Sequence, residues 1–357
     1  MKAAYLKTTR NAAVVCGLRN SVIFVLSLIV AGMGIDWLLP EQDVPTVTAK
    51  LAWLAAHRDA YDVLFIGSSR VRRQISPAVF DATMAARGFP TCSVNLGVDA
   101  MTFPELGYLL DRVVEILGKQ PRLRMIVTDL NPLRRELYPV NAEQSLRAIY
   151  WHDFHYTMEA CRAVLRDPKA NGGPSTNYGE LLAAHLNLMM RRYCNLGRCY
   201  ALLQAPGKSD VTSIDEKDRG YFPVDELMKP AEALVFDEKL AAMKIPENRR
   251  VRQDPVLEVA LERFVKKIES TGAHAFFVAP PVAALGRSLL PRATDGSHPV
   301  TFEFDDPVLY ESLYAPAKRY DAQHLNLTGS TEFTQLLANR IADSLEQGAT
   351  EVQPSRR

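Results

Sequence analysis

Five cysteines in 357 residues are too few to staple a chain of this length, so the fold must rest on a buried apolar core and not on a disulfide framework. An excess of one charge is also missing. The 42 Lys and Arg residues nearly balance 41 Asp and Glu, for a formal net charge of +1, which removes the whole-chain electrostatic case for a nucleic-acid partner. Only one stretch is apolar enough to span a bilayer, which excludes a multi-span membrane protein. Neither internal repeats nor low-complexity tracts occur. No second Cys or His pair stands at ligand distance from Cys194 and Cys199, so no zinc pattern is present, and nothing implies a metal or other cofactor. What is present is 47% hydrophobic and 23% charged residues, the composition of a globular chain long enough for one large α/β domain with an insertion.

The near-neutral total hides an asymmetry. Lys2, Lys7, Arg10 and Arg19 stand in the first nineteen residues without a single Asp or Glu, leaving the remainder slightly acidic. Ser21 to Leu39 then runs apolar, interrupted by Asp36, at about the twenty residues a membrane-crossing helix needs. Basic residues ahead of a single span predict a cytoplasmic segment 1–19, a transmembrane anchor 20–39 and an extracytoplasmic body, single-pass in a bacterial cytoplasmic membrane. A cleaved signal peptide is the main competing reading. If the body is exported, Cys194 and Cys199 in CNLGRC are the best candidates for a disulfide.

Residues 40–60 read as a connector, partly helical. Short apolar runs at Tyr61–Gly67, Cys92–Leu96, Arg124–Leu130, His274–Ala279 and near Val300–Phe304 have the profile of buried strands. Helical patterns at Pro77–Arg87, Pro104–Leu117, Pro255–Ser270 and Ser330–Leu345 alternate with them. This alternation predicts a three-layer α/β/α sandwich around a doubly wound, mostly parallel sheet. The domain should span 61–350, with a largely helical insertion at 134–250 and a disordered tail at 351–357.

In such a sheet, ligands bind outside the carboxyl ends of the strands. The residues there are Gly67-Ser68-Ser69-Arg70, Asn95-Leu96-Gly97 and Asp129-Leu130-Asn131, with Asp321-Ala322-Gln323-His324 ahead of the closing helix. A serine at a strand-to-helix turn exposes its hydroxyl near backbone N–H groups that favour a developing negative charge. His324 would serve as base for Ser69, and Asp321 would hold the imidazole tautomer. The backbone at Ser69 and Gly97 and the Asn131 amide would form an oxyanion hole. Each residue alone has a plainer reading. Ser69 would cap a helix, Gly97 would make a turn, Asn131 would form an Asx turn, and His324 would be structural. Arg70, Arg72 and Arg73 read as a solvated face. A second Asp-x-x-His, Asp295 to His298, lacks a following helix, so context favours the later pair.

In that order these four blocks resemble the SGNH or GDSL family of serine esterases and acyltransferases, with matching strand context from residue 61 to about 345. Two motifs depart from the family pattern: its Gly-Asp-Ser is Gly-Ser-Ser here, and its Gly-x-Asn-Asp is Asp-Leu-Asn-Pro. The resemblance implies the SGNH, flavodoxin-like sandwich. It also implies Ser69 as nucleophile, Asp321 and His324 as its relay, and Ser69, Gly97 and Asn131 as oxyanion donors. The activity so implied is esterase or O-acyltransferase chemistry through an acyl-serine. Its expected substrate is an acylated cell-envelope or secreted glycan, or another ester. Its expected partners are the membrane and a membrane-bound acyltransferase. The alternative from a different class is a non-catalytic scaffold or carbohydrate-binding subunit of an acylation complex.

Overall fold

The computed structural model describes residues 2–38, 45–101, 103–118, 122–129, 146–166, 178–195, 214–245, 255–283 and 300–351. The chain divides into two compact units, one formed by Met1–Val44 with Pro139–Ser209, the other by Pro45–Tyr138 with Asp210–Arg357.

The larger unit is an α/β domain. Its strands are β1 (Val63–Ile66), β2 (Ser93–Asn95), β3 (Met125–Asp129), β4 (His274–Ala279) and β5 (Thr301–Glu303). All neighbouring strands pair in parallel, in the order β2-β1-β3-β4-β5. That is a doubly wound order, and the direction of winding reverses between β1 and β3. Central strands buried on both faces must be apolar throughout, and β1 (VLFI) is buried at every position.

Helices cover both faces. Alternate residues Val63, Phe65, Val127 and Val278 face a core completed by Phe80 and Met84 of α4 (Pro77–Ala86) and by Phe333, Leu337 and Ile341 of α11 (Leu327–Glu351). Their neighbours on the other face include Phe277, whose ring meets Phe264 of α10 (Pro255–Glu269). Helix α10 packs in turn on α5 (Phe103–Leu117), and α5 packs on α2 (Pro45–Ala56). Burial of each large side chain contributes about 1.5–3 kcal/mol. Every expected strand and helix of the alternation is present. One element was not foreseen: the six-residue helix α3 (Ser69–Gln74), which begins at the candidate nucleophile.

The expected insertion does not behave as one piece. Within the expected insertion, Met228 and the Phe236 and Met243 side chains of α9 (Pro230–Met243) enter the sheet core, the last two standing seven residues apart on one helix face. The connector helix α2 likewise belongs to the sheet unit.

The smaller unit holds α1 (Lys2–Leu38), α6 (Leu146–Trp151), α7 (Phe154–Arg166) and α8 (Tyr178–Tyr193). The stretch Val14–Gly32 of α1 is long and apolar enough to cross a membrane, and nearly all its large apolar side chains are exposed up to the buried Gly32. It begins before the expected Ser21 because Val14, Val15 and Leu18 extend the apolar run past Arg19, whose long stem can carry its charge to an interface. Past the end of α8, the Asn195 amide donates to the Gly32 carbonyl at 2.9 Å. Cys194 is a buried free thiol, and Cys199 lies outside the described residues, as do Asp295, His298 and the tail 352–357.

Candidate active site

The site lies at the carboxyl edge of the sheet, where the strand order reverses. Strand β1 ends at Ile66, and the chain turns through Gly67 and Ser68 into α3. Ser68 is the helix N-cap, accepting from the Arg70 N–H. The turn is fastened to β3 through Asp129, whose carboxylate takes the Ser68 N–H at 2.9 Å and the Ser68 hydroxyl at 2.6 Å. A Cβ on Gly67 would fall 2.2 Å from Asp129 Oδ1, so only glycine lets the carboxylate reach the turn. Arg70 lies 3.4 Å from the same carboxylate and neutralises it. Ser68 and Asp129 thus link the ends of β1 and β3.

Ser69 is the first residue of α3, where a backbone N–H has no acceptor inside the helix. Its Oγ is 2.8 Å from His324 Nε2. The other ring nitrogen, Nδ1, lies 2.9 Å and 3.0 Å from the two Asp321 carboxylate oxygens. Ser69 and the Asp321–His324 pair, more than 250 positions apart in the chain, therefore form a continuous hydrogen-bonded series. Asp321 also accepts the Gln323 and His324 backbone N–H groups at 2.6 Å and 2.8 Å. Partial burial opposes its ionisation. The hydrogen bond to His324 and that ring's charge, with the two backbone donors, outweigh burial and hold the carboxyl below its ordinary value of 3.8.

The glycine block is built from Asn95, the buried last residue of β2. Its amide nitrogen donates to the carbonyls of Val71 and Ile75 at 2.7 Å and 2.8 Å, closing the far end of α3. Its Oδ1 accepts the Gly97 N–H at 2.9 Å. That N–H, expected to serve an oxyanion, is engaged by Asn95 in this structure. Gly97 packs so tightly on α3 that a Cβ would stand 2.4 Å from the Arg72 nitrogen. Asn131 lies outside the described residues.

The arginines after Ser69 do not form the solvated face their sequence suggests. Arg72 is buried, pairs with Asp99 and stacks on the Phe222 ring at 4.6 Å. Arg73 pairs with Asp99 at 3.0 Å. Burial opposes the charge on Asp99, and the two guanidinium groups more than compensate, holding its carboxyl low. Beneath this cluster Lys50 of α2 donates to the Asn95 and Gly220 carbonyls at 2.7 Å and 3.0 Å. Burial, reinforced by the charge of Arg72, pushes the Lys50 ammonium well below its usual range.

The His324 loop is held from two sides by residues that no sequence pattern singled out. Arg319, fully buried, donates to the carbonyls of Asp321, Ala322, Leu313 and Pro281 at 3.0–3.1 Å. Gln74, the last residue of α3, donates from Nε2 to the Gln323 carbonyl at 2.9 Å. A signal did exist for Asn95 and Asp129, each a polar residue ending an apolar strand. None existed for Arg319 and Gln74, whose partners are main-chain carbonyls with no sequence signature.

Among the described residues no group of three or more metal-ligating side chains occurs. No protein-family model matches the chain, and no curated protein matches it.

Proposed function

We propose that this protein is a membrane-tethered serine esterase or O-acyltransferase of the SGNH type, acting on an acylated cell-envelope or secreted glycan. The observation that carries the reading is the Ser69–His324–Asp321 relay, assembled at the carboxyl edge of a parallel sheet. Asp321 keeps the His324 proton on Nδ1, so Nε2 is free to accept. As Ser69 Oγ attacks the ester carbonyl, its proton passes to Nε2 and a tetrahedral oxyanion forms. The Ser69 backbone N–H lies at hand for that oxyanion, with the Gly97 N–H and the Asn131 amide as the further donors that the family resemblance implies. Collapse breaks the bond to the alkoxy oxygen, which takes the proton from His324 and leaves as an alcohol, with the acyl group on Ser69. Water or a sugar hydroxyl then gives its proton to His324 and attacks the acyl-serine; the bond from the acyl carbon to Ser69 Oγ breaks, the serine takes the proton back from His324, and an acid or an acylated sugar is released.

The tether would be α1, inserted with its basic end in the cytoplasm. Sedimentation with membranes, lost on deletion of 1–38, tests it.

Full-length protein in detergent, treated with an alkyl fluorophosphonate, should acquire one adduct on Ser69. Ser69→Ala should abolish it, and His324→Gln should slow it by about a hundredfold or more. Labelling of Ser69→Ala equal to wild type would remove the nucleophile assignment.

One observation favours a second reading, a non-catalytic glycan-binding subunit: the Gly97 N–H is bonded to Asn95 and not directed at a substrate. In cells, that reading requires envelope acylation to survive Ser69→Ala and His324→Gln yet fail on deletion of the protein.

A further inference from the structure

A loop that carries a general base has four main-chain carbonyls of its own between Asp321 and His324, and each meets a donor. The Asp321 carbonyl accepts from Arg319 Nε at 3.1 Å, and the Ala322 carbonyl from Arg319 Nη2 at 3.0 Å and the Ala283 N–H at 2.9 Å. The His324 carbonyl accepts from the Tyr320 and Asp321 N–H groups at 3.0 Å and 3.3 Å. The remaining carbonyl, of Gln323, takes Gln74 Nε2 at 2.9 Å.

Gln74 differs from the other donors in where it sits. It closes the helix that Ser69 opens, and six residues of α3 are a short, stiff strut of about 9 Å. One end of this strut presents the nucleophile to His324 Nε2. The other end grips the residue next to His324. The strut is pinned at its Gln74 end, where the main-chain carbonyl takes the Thr334 hydroxyl at 3.0 Å, and Ser76 donates its N–H back to that hydroxyl at 3.1 Å.

The amide also carries a cost. Gln74 is fully buried, and among the described residues its Oε1 meets no hydrogen-bond donor. Turning the amide over would set Oε1 against the Gln323 carbonyl, two acceptors facing each other, so the orientation is determined. A buried acceptor without a partner disfavours the fold. A methionine of similar length would fill the same space without it. The amide is thus a poor choice for packing and a suitable one for donating to the Gln323 carbonyl.

We infer that Gln74 is a positioning residue: its amide locks the His324 loop to the helix that carries Ser69, so that the Ser69–His324 contact is set before substrate arrives. This rests on the serine-nucleophile reading given above, which it deepens.

The test uses full-length protein in detergent, wild type against Gln74→Met and Gln74→Glu, with three readouts. These are the rate of fluorophosphonate labelling across pH, hydrogen exchange in a peptide covering 319–325, and the thermal midpoint. Gln74→Met should label about tenfold more slowly or worse. It should exchange the Tyr320 and Asp321 amides faster and melt within about 3 °C of wild type, since the loss of one bond is offset by removal of the orphan acceptor. Gln74→Glu should be slowed similarly when ionised, and its rate relative to wild type should recover as pH falls and the carboxyl gains a proton to donate. Wild-type labelling rates in both variants, or unchanged exchange, would overturn the inference. So would slowed labelling that merely tracks a collapsed melting transition in both, which marks a general structural role. If wild-type Ser69 does not label at all, the nucleophile reading falls. The exchange data then still decide whether Gln74 holds the loop.

Discussion

Asp321 and Asp129 are carboxylates at one edge of one sheet, and their surroundings assign them different tasks. Asp129 is buried and spends its oxygens on the Ser68 turn, with Arg70 beside it, so it shapes the backbone that leads into Ser69. Asp321 remains partly exposed and faces the imidazole. Because its folded carboxyl is held below 3.8, the unfolded chain takes up that proton first as the solution is acidified. The stability it contributes is therefore complete above about 3.8 and is lost as pH falls through the lower folded value. Comparing urea unfolding of wild type and Asp321→Asn across pH should show the acid-side slope shallower in the variant. Equal slopes would mean that this carboxylate is not linked to folding. The relay was legible at this scale because serine, histidine and aspartate have few joint uses after strands. Ser68 as a hydroxyl bridge was not legible, since serine caps helices everywhere.

Helix α3 is the element on which the site turns, and it is too short to be stable by itself. Its start is capped by Ser68, its closing carbonyls are met by Asn95, and its body is pressed against Gly97. Gly97→Ala would place a methyl group 2.4 Å from the Arg72 nitrogen, with backbone on the other side of the clash. That contact can be relieved only by moving α3. The substitution should cost about 1–3 kcal/mol in denaturant unfolding and slow Ser69 labelling beyond what the lost stability explains. An alanine variant with wild-type stability would show that the contact is softer than its geometry. The longer elements of the domain were readable from periodicity: β4 matches its apolar run His274–Ala279 end to end, and α5 its spacing of Leu106, Leu109, Leu110 and Val113. Helix α3 gives no such signal because six residues, three of them arginine, carry no helical apolar stripe. Its stability comes from tertiary partners far away in sequence.

For the molecule as a whole, the two units answer acid differently. In the smaller one, His152 lies buried with Nε2 3.0 Å from His185 Nδ1 and its own Nδ1 2.6 Å from the Ala148 carbonyl. Burial, with the nearby charges of His185 and Arg192, outweighs the carbonyl's pull and lowers it from 6.5 to about 3. Between these values the unfolded chain binds a proton that the folded unit refuses. Stability is complete above about 6.5 and drains by roughly 1.4 kcal/mol for each pH unit below it. Trp151 stacks against His152 at 3.7 Å, so tryptophan emission should report loosening of this unit as pH falls from 6.5. His152→Gln should blunt that change, and an emission unaltered down to pH 4 would contradict it. Sequence by itself determined the alternation of strands and helices, the single apolar span, and which loops lie at the carboxyl edge. Those follow from local periodicity and from the rule that parallel strands put their carboxyl ends together. Only the tertiary structure decided that Met228, Phe236 and Met243 feed the sheet core, that Arg72 is buried beside Asp99, and that Asn95 engages the Gly97 N–H. It alone placed Gln74 and Arg319 on the His324 loop. The reason is that burial and main-chain partners depend on which distant segments meet, and no short stretch of chain encodes that. The basic front and slightly acidic remainder are a matter of sequence; the 2.8 Å contact between residues 69 and 324 is made by the fold.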